Sequence, residues 1–258
     1  MLAIGLAVRE LSGASGGGTS GAGEVVTRPP ATVRHCAAGE VDLGSPSVSY
    51  VVFLRTRAEV DRRPGGSRLS TLSPRSQSFA ATNRRGVPTV VAALGELRTS
   101  DCRVSWYRVR LSGKPGVSGA SEGYVRAAAV ELAEVHTRVL VDLSSRRLTL
   151  YENGAPVLRA VAAVGAPGTP TPRGQFVVRE RIRITDSGGV YGAAAIALSA
   201  FSKQLIHWPR GGPVAIHGTN DPGSIGKAVS HGCVRLDAGA LQRVFEKVQI
   251  GTPVEIIE

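Results

Sequence analysis

Four lysines, one methionine, 5% aromatics and the lack of any long apolar run mark this 258-residue chain before any motif does. No stretch approaches the roughly 18 consecutive apolar residues that a membrane-spanning helix needs, so a complete transmembrane helix is excluded. Aromatics are too few for the stacking platforms of single-strand nucleic-acid binders. The three cysteines, Cys36, Cys102 and Cys233, include no CxxC pair, which argues against a structural zinc ribbon. Their odd number allows one disulfide and one free thiol. The apolar run Met1–Val8 is too short to span a membrane and lacks the basic residues that precede a signal peptide's apolar core. As written it shows no export signal, and it reads equally as the stub of an export segment beginning upstream.

What is abundant is arginine, glycine and small apolar residues. The 31 basic residues against 20 acidic ones give a net charge of +11, and only Lys114, Lys203, Lys227 and Lys247 of the basic set are not arginine. Such a surface attracts polyanions: nucleic acid, anionic lipid or an anionic cell wall. The arginines are scattered and no recognition motif accompanies them, so no nucleic-acid partner is expected. Apolar residues at 42% and a mean hydropathy of +0.04 rule out wholesale disorder. At about 150 residues per domain, the length suggests two modules.

The chain divides by composition. Residues 1–24 read as a flexible segment, with a Gly/Ser linker at 12–23. Residues 25–134 read as a small, barrel-like antiparallel β module, with strand candidates at Val48–Val60, Thr89–Ala93 and Val104–Leu111. Residues 135–258 read as a second, mostly β module. Its strands are expected at Arg138–Leu143, Arg147–Tyr151, Pro156–Val164, Gln175–Ile184 and Pro253–Ile257, with a hairpin turn at Asn153-Gly154. Leu241, Val244, Phe245 and Val248 fall at i, i+3, i+4, i+7 behind Asp237 as N-cap, which predicts the one helix.

The chemistry concentrates in Ile216-His217-Gly218-Thr219 and Val229-Ser230-His231-Gly232-Cys233-Val234-Arg235-Leu236. A thiol with an ordinary pKa of about 8.5 is only a few per cent ionised at neutral pH. The nearby helix N-terminus would favour the thiolate, and His217, at a strand end, can return beside it through a 16-residue loop. On a strand, His231 would share a face with Cys233. Gly232 would free backbone N–H groups for an oxyanion hole. From the residues alone three readings stay open. Cys233 is a nucleophile, or a small buried hydrophobe, or a metal ligand together with His207, His217 and His231.

Ser230-His231-Gly232-Cys233-Val234-Arg235, with His217-Gly218 thirteen residues before it, resembles the signature of the L,D-transpeptidase catalytic domain of bacterial cell-wall enzymes. Arg147-Leu-Thr-Leu-Tyr151, Thr169-Pro-Thr-Pro-Arg-Gly-Gln-Phe176 and Tyr191-Gly192 stand in the family's order, so the resemblance covers about residues 138–258. It implies a β-rich catalytic fold and a cysteine acyl transfer that needs no metal or other cofactor. The substrates would be peptidoglycan stem peptides, joined 3→3 through a thioester on Cys233. His217 would be the base, and Gly218 would orient it. His231 and the N–H groups of Gly232 and Cys233 would hold the donor and its oxyanion. Ser230, Arg235 and Tyr191 would line the substrate side, Arg235 gripping a carboxylate unless it only pairs with Asp237 at the surface. Phe201 and His207-Trp208 would lie in or near the cleft wall.

The cysteine follows its histidine in the chain, the reverse of papain-like endopeptidases. The resemblance also implies an extracytoplasmic location against the anionic wall, leaves room for a membrane anchor upstream, and predicts a Cys36–Cys102 disulfide beside a free Cys233. Residues 46–130 weakly resemble the small β-barrel modules of actinobacterial relatives. The alternatives carried forward are a hydrolytic L,D-carboxypeptidase and a non-catalytic wall-binding protein.

Overall fold

In the computed structural model, which describes residues 37–80, 83–112, 121–205, 207 and 212–258, strands dominate and one α-helix is present among the described residues. His35–Glu258 form one unit. The linker expected at 12–23 lies outside the described residues.

The first eight-stranded sheet is antiparallel throughout. Its order is Val130–Val135, Ser49–Leu54, Val90–Arg98, Val104–Leu111, Ser121–Arg126, Ala58–Asp61 and Arg68–Leu72, with Gly39–Asp42 also paired to Val90–Arg98. Val130 from one edge shares a buried cluster with Ala58 and Val60 from near the other, so the sheet curls around that core. Val104–Leu111 is a strand with the bounds its sequence predicts. The run Val48–Val60 is not one strand. It breaks between Leu54 and Ala58, where the N–H groups of Arg55 and Thr56 turn aside to the Ala129 carbonyl.

The second sheet runs Ala155–Val161, Arg147–Glu152, Thr137–Asp142, Pro253–Ile257, Gly174–Arg183, Ala194–Phe201, Pro213–His217 and Val234–Arg235. The hairpin at Asn153-Gly154 forms as expected, because both residues take positive φ (50° and 81°) in a turn whose twist matches its strands. Ala194–Phe201 has no counterpart in the sequence reading. Seven of its eight residues are buried, so it lacks the alternation that betrays a half-buried strand, and alanine is a weak strand former.

Helix α1 (Ala238–Lys247) begins where Asp237 accepts a hydrogen bond from the Ala240 N–H at 2.9 Å, the expected cap. Its apolar stripe, Ala240, Leu241, Val244 and Phe245, packs against Ile196, Ile216, Val234 and Leu236 of the sheet. Burying each large side chain of that stripe contributes about 1.5–3 kcal/mol. The helix therefore covers one face of the last strands and leaves the other for chemistry.

Val51, Val90 and Val135 of the first sheet meet Val177 of the second, and the Ser112 hydroxyl donates to the Ser199 hydroxyl at 2.7 Å. Cys102 is disulfide-bonded and Cys233 is a free thiol. Cys36 lies outside the described residues. Among them no helix is long and apolar enough to cross a membrane.

Candidate active site

Two short parallel strands build the site. Ile216 pairs with Val234 and His217 with Arg235. Side chains alternate along a strand, so Ile216 and Val234 point into the core beneath α1. Ala215, His217, Cys233 and Arg235 share the opposite face. The imidazole at the end of one strand and the thiol just before the start of its neighbour thus lie on one face, with Cys233 beside Ala215.

His217 is 4% exposed, and its Nδ1 lies 2.5 Å from the Gly218 carbonyl oxygen. A carbonyl can only accept, so Nδ1 carries the proton and Nε2 keeps its lone pair. Burial lowers the His217 pKa to about 4, with the Arg235 charge adding to the fall and the Gly218 hydrogen bond opposing it. At neutral pH the imidazole is uncharged and able to accept a proton. The Gly218 N–H is also engaged, donating to the Tyr191 carbonyl at 2.8 Å. Gly192, at φ 62°, approaches Gly218 so closely that a Cβ on it would lie 3.0 Å from the Gly218 Cα. These contacts press Tyr191 onto the histidine, with ring centroids 4.8 Å apart at 69°.

Cys233 is half-buried, and its sulfur accepts the Ala215 N–H at 3.4 Å. Burial raises the thiol pKa against the opposing pull of that hydrogen bond and of the Arg235 charge. The thiolate expected from the helix N-terminus is therefore not favoured in the resting site. Thiol and imidazole rest as a neutral pair.

Ala228–Ser230 form a short strand, and the chain bends at His231 and Gly232 before Cys233. Ser230 is 1% exposed. Its hydroxyl donates to the Cys233 carbonyl at 2.5 Å and accepts the Gly232 N–H at 3.1 Å, while its carbonyl takes the Thr169 hydroxyl at 2.9 Å. Ser230 thus braces the Cys233 backbone and engages the Gly232 N–H. Gly232 has φ 112°, and a Cβ there would meet nothing nearer than 3.6 Å, so backbone conformation and not space demands glycine. His231 is exposed and lies in a bend, not on a strand continuous with Cys233.

Arg235 does not pair with Asp237, which caps α1. Its Nε is buried with no hydrogen-bond partner among the described residues, and its charge acts on both His217 and Cys233. Tyr191 is 38% exposed, and burial together with the Cys233 charge raises its phenol pKa, so it stays protonated. Phe201 sits at a strand end under the Arg179 guanidinium at 5.7 Å. His207 is exposed, and Trp208 lies outside the described residues. Among the described residues no three His, Cys, Asp or Glu side chains converge as a metal site would.

Ser78, Phe79 and Glu180 border the site without having drawn notice in the sequence. Phe79 lies in a Ser-Gln-Ser-Phe-Ala loop with no motif. The one available signal was Glu180, a lone acid among arginines in a strand-like run.

The family model of the YkuD L,D-transpeptidase catalytic domain matches residues 136–256. The YkuD protein of Bacillus licheniformis, which carries the L,D-transpeptidase name, is 37% identical over 150 residues, 57% of this chain and 83% of that protein. Its Bacillus subtilis namesake is 38% identical over 118 residues, 46% of this chain and 64% of that protein. A solved L,D-transpeptidase from Mycobacterium tuberculosis H37Rv aligns with 80% of this chain and 96% of its own, at 16% identity and a TM-score of 0.43.

Proposed function

The chain belongs to the L,D-transpeptidase family, and on that premise we propose that it is a cysteine acyl transferase acting on peptidoglycan stem peptides. The observation that carries this reading is the Cys233–His217 pair. It lies on one face of adjacent strands, with the imidazole held by the Gly218 carbonyl in the tautomer that leaves Nε2 open. Residues 135–258 are the catalytic domain in this reading, and 25–134 a module joined to it.

Because the resting pair is neutral, proton transfer accompanies attack. The Cys233 sulfur bonds to the carbonyl carbon of the third stem residue as its proton passes to Nε2 of His217. The carbonyl electrons move onto oxygen, which accepts a hydrogen bond from the Cys233 N–H, the Gly232 N–H being engaged by Ser230. Collapse of this intermediate breaks the amide bond to the terminal D-alanine, whose nitrogen takes the proton from His217. The thioester then passes to a side-chain amine of a second stem, forming a 3→3 cross-link. Arg235, with its orphaned Nε, faces the thiol and is suited to a donor carboxylate. Tyr191, Gly218 and Ser230 shape the site, and exposed His231 borders it. Such a reaction occurs outside the cytoplasm, where the basic surface favours the anionic wall.

Incubation of the purified protein with a disaccharide-tetrapeptide, followed by mass spectrometry, tests this reading. A cross-linked dimer lacking one D-alanine is expected. Tripeptide alone would assign the protein as an L,D-carboxypeptidase, and unchanged tetrapeptide would leave only wall binding.

A further inference from the structure

The catalytic face extends beyond the Cys–His pair. Across the strands, Glu180 pairs with Ala197, Ala197 with Ala215, and Ala195 with His217. With Cys233 beside Ala215, one row reads Glu180, Ala197, Ala215, Cys233, and the next carries Ala195 and His217. Alanines at 195, 197 and 215 leave room above the sheet for other side chains to lie flat. What fills that room comes from the N-terminal half of the chain.

The segment Gln77–Ala80 reaches across and is fastened to the Glu180 end of this row. Glu180 is 8% exposed, and its two oxygens accept the Ser78 hydroxyl and the Phe79 N–H, each at 2.6 Å. Arg179 donates to the Gln77 carbonyl. So fixed, the Phe79 ring stands edge-on to Tyr191, with centroids 5.9 Å apart at 84°, and Tyr191 stands in the same manner on His217 at 4.8 Å. A continuous aromatic stack therefore runs from a loop some 140 residues away in sequence to the catalytic imidazole. The Tyr191 carbonyl is tied to the Gly218 N–H, and Phe79 packs against its ring.

We propose that Phe79 is a positioning residue of the catalytic site, holding Tyr191 over His217, and that the N-terminal module thereby completes the enzyme instead of only flanking it. The proposal rests on the acyl-transfer reading for its purpose, but not for its test. The titratable and charged groups around the imidazole are Tyr191, Cys233 and Arg235. Loss of the stack admits water to the ring without altering those charges, so its effect is one of desolvation.

The test is an NMR titration of His217 in the full chain, paired with the pH dependence of Cys233 alkylation by iodoacetamide, neither of which needs a donor peptide. Phe79→Ala removes the ring but keeps the main-chain and Ser78 bonds to Glu180, so the loop stays docked. The His217 midpoint should then rise by about one pH unit or more toward the ordinary value, the acid limb of alkylation should move with it, and Phe79→Tyr should restore both. Should Phe79→Ala fail to fold, Ser78→Ala, which loosens the same loop, should shift the midpoint in the same direction by less. An unmoved midpoint in a folded variant, or a shift that Phe79→Tyr does not reverse, overturns the proposal. Loss of transpeptidation with these results intact would instead count against the substrate reading alone.

Discussion

The outer surface of the first sheet and the Cys233 face of the second treat their charged groups in opposite ways. In the first, Arg108 meets three carboxylates, Glu40 at 2.5 Å, Glu122 at 3.0 Å and Asp42, and Tyr124 adds a hydroxyl to Glu40 at 3.0 Å. In the second, this face sets a buried imidazole, a half-buried thiol and a guanidinium with an orphaned Nε close together, and its one carboxylate, Glu180, is taken up by Ser78 and Phe79. Paired charges at a surface hold shape at small cost. A buried polar atom left unpaired, such as the Arg235 Nε, is one that a substrate can satisfy. The comparison predicts that substitutions in the second sheet will alter turnover, and that those in the first will alter stability slightly.

His217→Ala should show the largest effect, a loss of about a hundred- to ten-thousand-fold in acylation of Cys233, the usual worth of a positioned base. Higher pH should partly rescue it, since hydroxide then ionises the thiol directly. In the unaltered protein the acid limb of acylation should fall near pH 4, not near 6.5, because burial sets the folded His217 pKa at about 4.

The same burial has a stability consequence. Between pH 6.5 and about 4 the unfolded chain binds a proton at His217 that the folded protein resists, so stability is fully present above 6.5 and falls as pH drops to 4. The loss amounts to about 3 kcal/mol from this one group. Denaturant unfolding across this range should show it, and His217→Gln should flatten that part of the curve.

Arg235→Lys keeps the charge but loses the fork, and turnover should fall about tenfold, or ~1.4 kcal/mol. Unchanged turnover would assign Arg235 to structure. Arg108→Ala should cost about 1 kcal/mol of stability or less, vanishing at high salt, with acylation untouched. A large catalytic effect there would break the comparison between the sheets.

Most of this division was legible in the sequence where local chemistry determines structure. The Asn153-Gly154 turn, the Asp237 cap and the stripe of Leu241, Val244 and Phe245 act within a few residues, and they formed as read. His217 and Cys233 were legible as a motif. What depends on long-range packing was not. Ala194–Phe201 shows no alternation because it is buried on both faces. Phe79 acquires its place through Glu180, 101 residues distant in sequence. The thiol's shift away from ionisation follows from burial, which spacing along the chain does not convey.

The central claim is that Cys233 is acylated through its sulfur with His217 as base. The most direct measurement is the intact mass of the protein after exposure to a carbapenem in the presence of a chelator, with the adduct mapped by peptide sequencing. A single added mass on Cys233, absent in Cys233→Ser, is the predicted result. No adduct, an adduct elsewhere, or one that persists in Cys233→Ser would contradict it.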